Sequence, residues 1–276
     1  MPDSTVPLSS PRVALIGFGE AGETFAASTS WRGHARGWDI LPERRSAMAQ
    51  WGVETAANAA EALADCAIAL SLVSADAALD AAREYAPLLP KGAFWCDMNS
   101  VAPDTKRGAA ACIGETGGRY VDVAVMAPVE AALAVPLLLS GPHAADVAPL
   151  LGELGFSNIR LAGSEIGRAS AIKMIRSVIV KGIEALSEEC ASAAEAAGVF
   201  DEVMASLDAS EKRVAWAERV AYNRERMQRH GLRRAAEMEE SAKTLLGLGV
   251  EPIMTRGTVE RQRRAAKSKH ERIEAA

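Results

Sequence analysis

Cysteine is scarce in this sequence and scattered where it occurs. Cys66, Cys96, Cys112 and Cys190 are the four in 276 residues. None forms a CxxC pair or the Cys/His spacing that a zinc ion needs. That argues against a metal site and for reduced thiols in a cytoplasmic protein. A long apolar run is also missing. The longest greasy stretch, residues 121–139, is broken by Asp122, Pro128, Glu130 and Pro136, so it does not read as a membrane span. Residues 1–11 lack a basic segment followed by an apolar one. They read as a flexible tail and not as a signal peptide. Nor is there an excess of positive charge. The formal net charge is −5, which gives no overall electrostatic drive toward nucleic acid. The basic end of the chain (Arg256, Arg261, Arg263, Arg264, Lys267, Lys269, Arg272) is interleaved with Glu260, Glu271 and Glu274. It reads as a solvated terminal helix. No internal repeat is evident.

The chain is long for one ordinary core and suits two domains. Short apolar runs at residues 12–16, 35–39, 67–73, 93–98 and 120–125 read as strands, with briefer candidates at 137–140 and 158–161. Helical segments are expected at 21–30, 41–51 and 75–85. Strands alternating with helices imply a mostly parallel sheet covered on both faces, the Rossmann-type doubly wound α/β arrangement. After Gly163 the strand signals stop. Residues 167–197 are compatible with one long helix, closed by Gly198. Asp208 to Glu211 resembles a capping box opening a helix that runs to His230 and Gly231. Residues 232–246 read as a further helix, closed by Gly247 and Gly249, with Pro252 as a breaker. The expected organisation is a tail (1–11), a dinucleotide-binding domain (12–165) and an all-helical domain for substrate and dimerisation (166–276).

Gly17-Phe18-Gly19-Glu20-Ala21-Gly22 has the GxGxxG spacing between a strand and a helix. The first glycine permits a tight turn, the second lets the backbone approach a pyrophosphate, and the third allows close helix–strand packing. Asp39 ends the next strand, at the distance expected of a carboxylate that accepts from ribose hydroxyls. It would repel a 2′-phosphate and so favours NAD. Arg44 and Arg45 follow closely and keep NADP open. Capping of the next helix is the bland role for Asp39.

Residues 169–186 are nearly all apolar, and a helix apolar all round is normally buried. Its polar exceptions are Ser170, Lys173, Arg176, Ser177, Lys181 and Glu184. At about 100° per residue, Lys173, Ser177 and Glu184 share a narrow face. A desolvated lysine has its pKa lowered toward the range useful for proton transfer. The structural alternative is a lysine that snorkels to water, with Lys181 paired to Glu184.

With these ends placed, the chain resembles the β-hydroxyacid dehydrogenase family, the 6-phosphogluconate-dehydrogenase-like enzymes, over roughly residues 12–255. It looks closest to a poorly characterised branch with a short helical C-terminal domain. Gly17 to Gly22 matches the family's cofactor turn. Asp97-Met-Asn-Ser100 looks like its Asp-x-Ser/Thr loop, and Tyr120 to Val125 like its Asp-Ala-Pro-Val strand. Gly163 to Gly167, followed by Lys173, looks like the approach to its catalytic lysine helix. The resemblance implies that Lys173 transfers the proton. It implies that Ser71, Leu72, Val73 and Ser74 line the nicotinamide side and that Leu72, Val73, Ser74 and Asn99 join the turn in holding the cofactor. Ser100, Met126, Ala127, Arg176, Ser177 and Lys181 would then face the substrate. It also implies a homodimer.

Three departures stand out. Met126-Ala127-Pro128 replaces the family's Ser-Gly-Gly. Ser177 replaces an asparagine. Glu20 puts a charge in the Gly-rich turn. Together they put a small carboxylate substrate in doubt. The reaction expected is hydride transfer between NAD, or NADP, and a hydroxy-acid-like alcohol or its carbonyl. An imine reductase and a catalytically silent nucleotide-binding or scaffold protein are the rival readings.

Overall fold

The computed structural model describes residues 12–28, 31, 33–211 and 214–274, so the expected N-terminal tail lies outside the described residues. Short apolar runs become strands here because helices cover both of their faces. In chain order the strands are β1 (Val13–Ile16), β2 (Ala35–Trp38), β3 (Glu54–Thr55), β4 (Ile68–Ser71), β5 (Phe94–Asp97), β6 (Arg119–Val125), β7 (Leu137–Ser140) and β8 (Ile159–Gly163). They form one sheet in the order β3-β2-β1-β4-β5-β6-β7-β8. Every neighbouring pair is parallel except β6 with β7. The order reverses between β1 and β4, and a crevice at such a reversal is where doubly wound sheets bind ligands.

Helices α1 (Glu20–Ala27), α2 (Pro42–Met48), α3 (Ala59–Leu63), α4 (Ala78–Tyr85), α5 (Pro103–Glu115) and α6 (Ala144–Glu153) connect the strands. Alternate residues of the central strands feed two apolar clusters. Leu15, Phe25, Val123 and Leu139 lie in one, and Ala14, Ile16, Trp95 and Ala109 in the other. Phe25 meets Phe156 edge to face at 5.2 Å in the first. The α/β reading therefore holds, and so do the seven expected strands. Helices α3, α5 and α6 were not anticipated. The buried face of α5 includes Ala109 and Ala110, and α6 carries Pro149 inside it, so neither shows a clear apolar period.

The chain divides into two compact units, residues 1–176 and 177–276. Helix α7 (Arg168–Ala197) begins in the first and ends in the second. Gly198 follows with a left-handed φ of 70°, as a helix stop should. The second unit continues with α8 (Phe200–Ser210), α9 (Trp216–Gly247) and α10 (Ile253–Glu274).

Three expectations need correction. Asp208 and Glu211 do not open a helix. They close α8, where the Glu211 amide donates to the Asp208 carbonyl at 3.3 Å, and Glu211 pairs with Arg219 at 2.9 Å. Gly231 does not end a helix, since α9 runs straight through it. A Cβ there would lie 2.3 Å from the Gln262 carbonyl oxygen, so this glycine serves the close approach of α10. Finally, α7 is not buried all round. Ile175 is 72% and Val178 71% exposed, with Ile172, Ile179, Ile183 and Leu186 also open.

Glu189 ties α7 to α10. Its carboxylate, 5% exposed, accepts from the Met254 and Thr255 amides at 2.7 and 2.9 Å and from the Thr255 hydroxyl at 2.6 Å. Burial pushes this carboxyl up, but hydrogen bonds from Thr255, Met254 and Ile253 outweigh it and hold it below its usual 4.5. A carboxyl lowered by folding stabilises fully above its unfolded value and loses that contribution as pH falls through the folded one. Glu189→Ala should therefore cost about 1–2 kcal/mol at neutral pH, as a lost cap does. The difference from wild type should shrink well below pH 4.5. Urea denaturation at both pH values measures it, and an equal loss at both would contradict this account.

Candidate functional site

The Gly-rich turn leaves β1 at the reversal of the sheet. Gly17 has φ 91°, and a Cβ on it would lie 2.7 Å from the Leu72 carbonyl oxygen. A Cβ on Gly22 would meet the Gly17 carbonyl oxygen at 3.2 Å and the Phe18 ring at 3.3 Å. Both glycines are therefore packed against their surroundings. Gly19 is different, because a Cβ there would meet nothing within 4 Å. It stands at the start of α1 with no side chain capping the helix, which leaves amide donors and a positive dipole end facing open space.

A cavity of about 380 Å³ opens beside this turn, within the range of small-molecule sites. Its wall includes Gly17, Gly19, Asp39, Leu72, Val73 and Ser74. The structure thus brings together six of the residues expected to hold the cofactor. Trp38, Asp80, Glu84 and Tyr85 also contribute and were not foreseen, because their positions on β2 and α4 become neighbours only through the parallel pairing. The other turn residues take different places. Phe18 sends its ring into the core at 0% exposure, and Ala21 packs against the same cluster. Glu20 is exposed and borders a separate cleft with Glu23, Trp51 and Glu130.

Asp39 accepts the Phe18 amide at 2.7 Å on one oxygen and the Leu41 amide at 2.8 Å on the other. It therefore fixes the turn and begins the path to α2. Each oxygen keeps a second lone pair for a hydroxyl. Arg45 stacks over Trp38 at 4.8 Å and donates to the Asp39 and Ile40 carbonyls. Arg44 remains in the cavity wall.

The loop after β5 holds the second constellation. Lys173, half-buried on α7, has its Nζ 2.6 Å from Ser100 Oγ. Full burial of the lysine is thus not observed. Asn99 is 5% exposed and donates through Nδ2 to Asp97 Oδ1 at 2.8 Å and Ser71 Oγ at 2.9 Å. Ser71 is itself fully buried, behind this loop rather than on a ligand wall. Met126 packs against Ala124, Leu138 and Ala169, and its amide is used up on the Pro136 carbonyl at 2.8 Å. Together with Pro128, which has no N–H, this removes two of the three backbone donors from the segment that replaces Ser-Gly-Gly. Ala127 packs against the other core face. Arg176 is exposed and Ser177 half-buried, one turn beyond Lys173. The side chains of Lys181 and Glu184, with the pairing expected of them, lie outside the described residues.

Thiol chemistry is disfavoured at the two buried cysteines. Burial pushes Cys66 up to about 12, and burial together with the adjacent Asp97 pushes Cys96 well above the usual thiol range. Burial and the neighbouring Asp97 also raise Tyr120, so its phenol keeps its proton and donates to Asp97 Oδ2 at 2.8 Å.

Comparison with known proteins agrees with this geometry. The model for the NAD binding domain of 6-phosphogluconate dehydrogenase matches residues 12–162. The chain belongs to that family. Residues 194–265 match a domain of unknown function, DUF1932. A conserved hypothetical protein from Sinorhizobium meliloti is 36% identical, with TM-score 0.61 over 94% of this chain and 89% of its own. A conserved protein of unknown function, described as similar to 3-hydroxyacid dehydrogenases, is 28% identical, with TM-score 0.61 over 94% and 98%. An imine reductase from Myxococcus stipitatus in complex with NADP+ is 18% identical, with TM-score 0.75 over 94% and 96%. A variant of it is known in complex with NAD+. Family membership and the turn geometry support an NAD(P)-dependent oxidoreductase. Among the described residues, no helix is long and apolar enough to cross a membrane.

The contrast between the glycines is testable. Gly17→Ala should lower the melting temperature, because the added methyl has no room. Gly19→Ala should fold normally and weaken NAD(H) binding by about tenfold or more, ~1.4 kcal/mol. Calorimetric titration reads this, and unchanged affinity in Gly19→Ala would place the pyrophosphate elsewhere.

Proposed function

We propose that this protein is a nicotinamide-dependent dehydrogenase or reductase that interconverts a hydroxy-acid-like alcohol and its carbonyl. Lys173 is its general acid/base. The observation that carries this reading is the 2.6 Å contact between Lys173 Nζ and Ser100 Oγ, in a chain whose turn suits a dinucleotide. A bound nicotinamide supplies or accepts the hydride. Gly17, Gly19, Asp39, Leu72, Val73 and Ser74 would hold the cofactor, with Asn99 supporting the loop beside it. In oxidation, neutral Lys173 takes the alcohol proton. In reduction, its ammonium form returns the proton to the carbonyl oxygen. Ser100 orients that oxygen, with Ser177 one turn further along α7.

NAD is the favoured cofactor. The cavity wall carries Asp39, Asp80 and Glu84 against Arg44, a balance that repels a 2′-phosphate. The altered Met126–Pro128 segment favours a substrate larger or less anionic than a short hydroxy acid. Arg176 and Lys181 would supply any anion contact. The free thiols suit the cytoplasm.

Turnover with NAD and NADP over 3-hydroxy acids, sugar acids, β-hydroxy amino acids and cyclic imines tests this reading. Lys173→Ala should bind cofactor normally and lose roughly a hundred- to ten-thousand-fold in turnover. Wild-type turnover in that variant would remove Lys173 from the chemistry. A lower KM for NADP would reverse the cofactor preference. Turnover of imines alone would favour the reductase reading, and cofactor binding without turnover would favour a silent protein.

The second proposal within this reading is a homodimer. The open stripe on α7, including Ile175, Val178 and Ile183, can face its own copy across a twofold axis, where one surface complements itself. Sedimentation at micromolar concentration should give twice the chain mass, and Val178→Glu should halve it. A wild-type monomer would overturn the assignment.

A further inference from the structure

One register line of the sheet is polar where apolar residues are the rule. Ser71, Asp97, Asp122 and Ser140 lie side by side on β4, β5, β6 and β7, and none is more than 1% exposed. Two carboxylates directly opposite on neighbouring strands repel each other, and their burial costs heavily unless each is paired.

The pairing comes from α5. Lys106, at 0% exposure, donates to Asp97 Oδ1 at 2.9 Å and to the Asp97 carbonyl at 2.6 Å, and it stands 3.5 Å from Asp122 Oδ1. One ammonium faces two carboxylates, so one formal negative charge is left over. The start of α7 meets it. Asp122 accepts the Ser170 amide at 3.0 Å and the Ser170 hydroxyl at 2.6 Å. Ser140 donates to Asp122 at 2.9 Å and accepts the Ala169 amide at 2.9 Å. Asp122 thus acts as a cap supplied from the sheet, placed where a helix dipole favours an anion.

The two carboxylates reach the two halves of one contact. Asp122 clamps α7 at Ser170, one turn before Lys173. Asp97 clamps the loop at Asn99, through its amide at 3.0 Å and its side chain at 2.8 Å, one residue before Ser100. We propose that Lys106, by bridging Asp97 and Asp122, positions Lys173 against Ser100. It is a positioning residue and not a catalytic one, since full burial keeps it from any substrate. The inference rests on the function proposed above. A displacement of about 1 Å in such a pair costs on the order of a hundredfold in rate.

The test reads Lys173 without any substrate. Reductive methylation with ¹³C-formaldehyde labels its amine, and the resonance lost in Lys173→Ala identifies it. In Lys106→Met, which keeps chain length and removes the charge, that resonance should move to the position of solvent lysines. NAD(H) affinity should stay within twofold. With a substrate in hand, kcat should fall tenfold or more at little-changed KM. Ser170→Ala keeps all three charges and is the milder variant should Lys106→Met fail to fold. It should shift the resonance the same way. A Lys173 resonance unmoved in a folded variant of either kind overturns the proposal, even in an active enzyme. A shifted resonance in a protein with no turnover upholds the positioning and rejects the proposed activity instead.

Discussion

Two carboxylates held side by side inside a sheet organise the functional end of this molecule. Asp97 and Asp122 occupy paired positions on β5 and β6, where apolar residues would pack more cheaply. Such placement survives only where every lone pair has a partner. Lys106, Tyr120, Asn99, Ser140 and Ser170 provide those partners. They come from a helix, two strands, a loop and the start of α7. Satisfying the two charges therefore fixes five elements at once. The geometry of the Lys173–Ser100 contact follows from that requirement.

A smaller version of the same logic operates at the nucleotide end. Asp39 holds the Phe18 and Leu41 amides, so the residue that could read a ribose also fixes the turn that could cradle a pyrophosphate. Both ends of the first unit use a carboxylate at a strand terminus to hold the backbone of a following segment. In each case the anion accepts from amides that a helix or turn leaves unpaired.

The cofactor turn was legible because glycine spacing is a local signal: Gly17, Gly19 and Gly22 declare a backbone shape without reference to distant residues. Lys173 was legible by contrast with its apolar neighbours. The network beneath it was not. Lys106 sits in the stretch Pro103-Asp-Thr-Lys-Arg107, which reads as solvent-exposed, and its burial depends on which strands α5 covers. Asp97 was visible near the end of one apolar run and Asp122 inside another, but their adjacency is a product of strand order. Gly231 was misread for the related reason that a glycine at a helix crossing and a glycine at a helix stop look alike in sequence. The partner that distinguishes them, Gln262, lies 31 residues away.

Helix α7 combines opposite requirements along its length. Its first turn is anchored by buried charge, and Ala169 and Ser170 are nearly inaccessible. Ile172, Ile175, Val178 and Ile179 then lie open to solvent. The hydrophobic effect disfavours such a stripe at roughly 25 cal/mol per Å² of apolar surface left in water. Propensity does not explain its composition either, because isoleucine and valine are weaker helix formers than alanine or leucine. The Lys106 network anchors the start of α7, but it offers no apolar contact to the turns beyond. Polar satisfaction therefore anchors the helix at both the Ser170 turn and Glu189, while the apolar residues between them stay open.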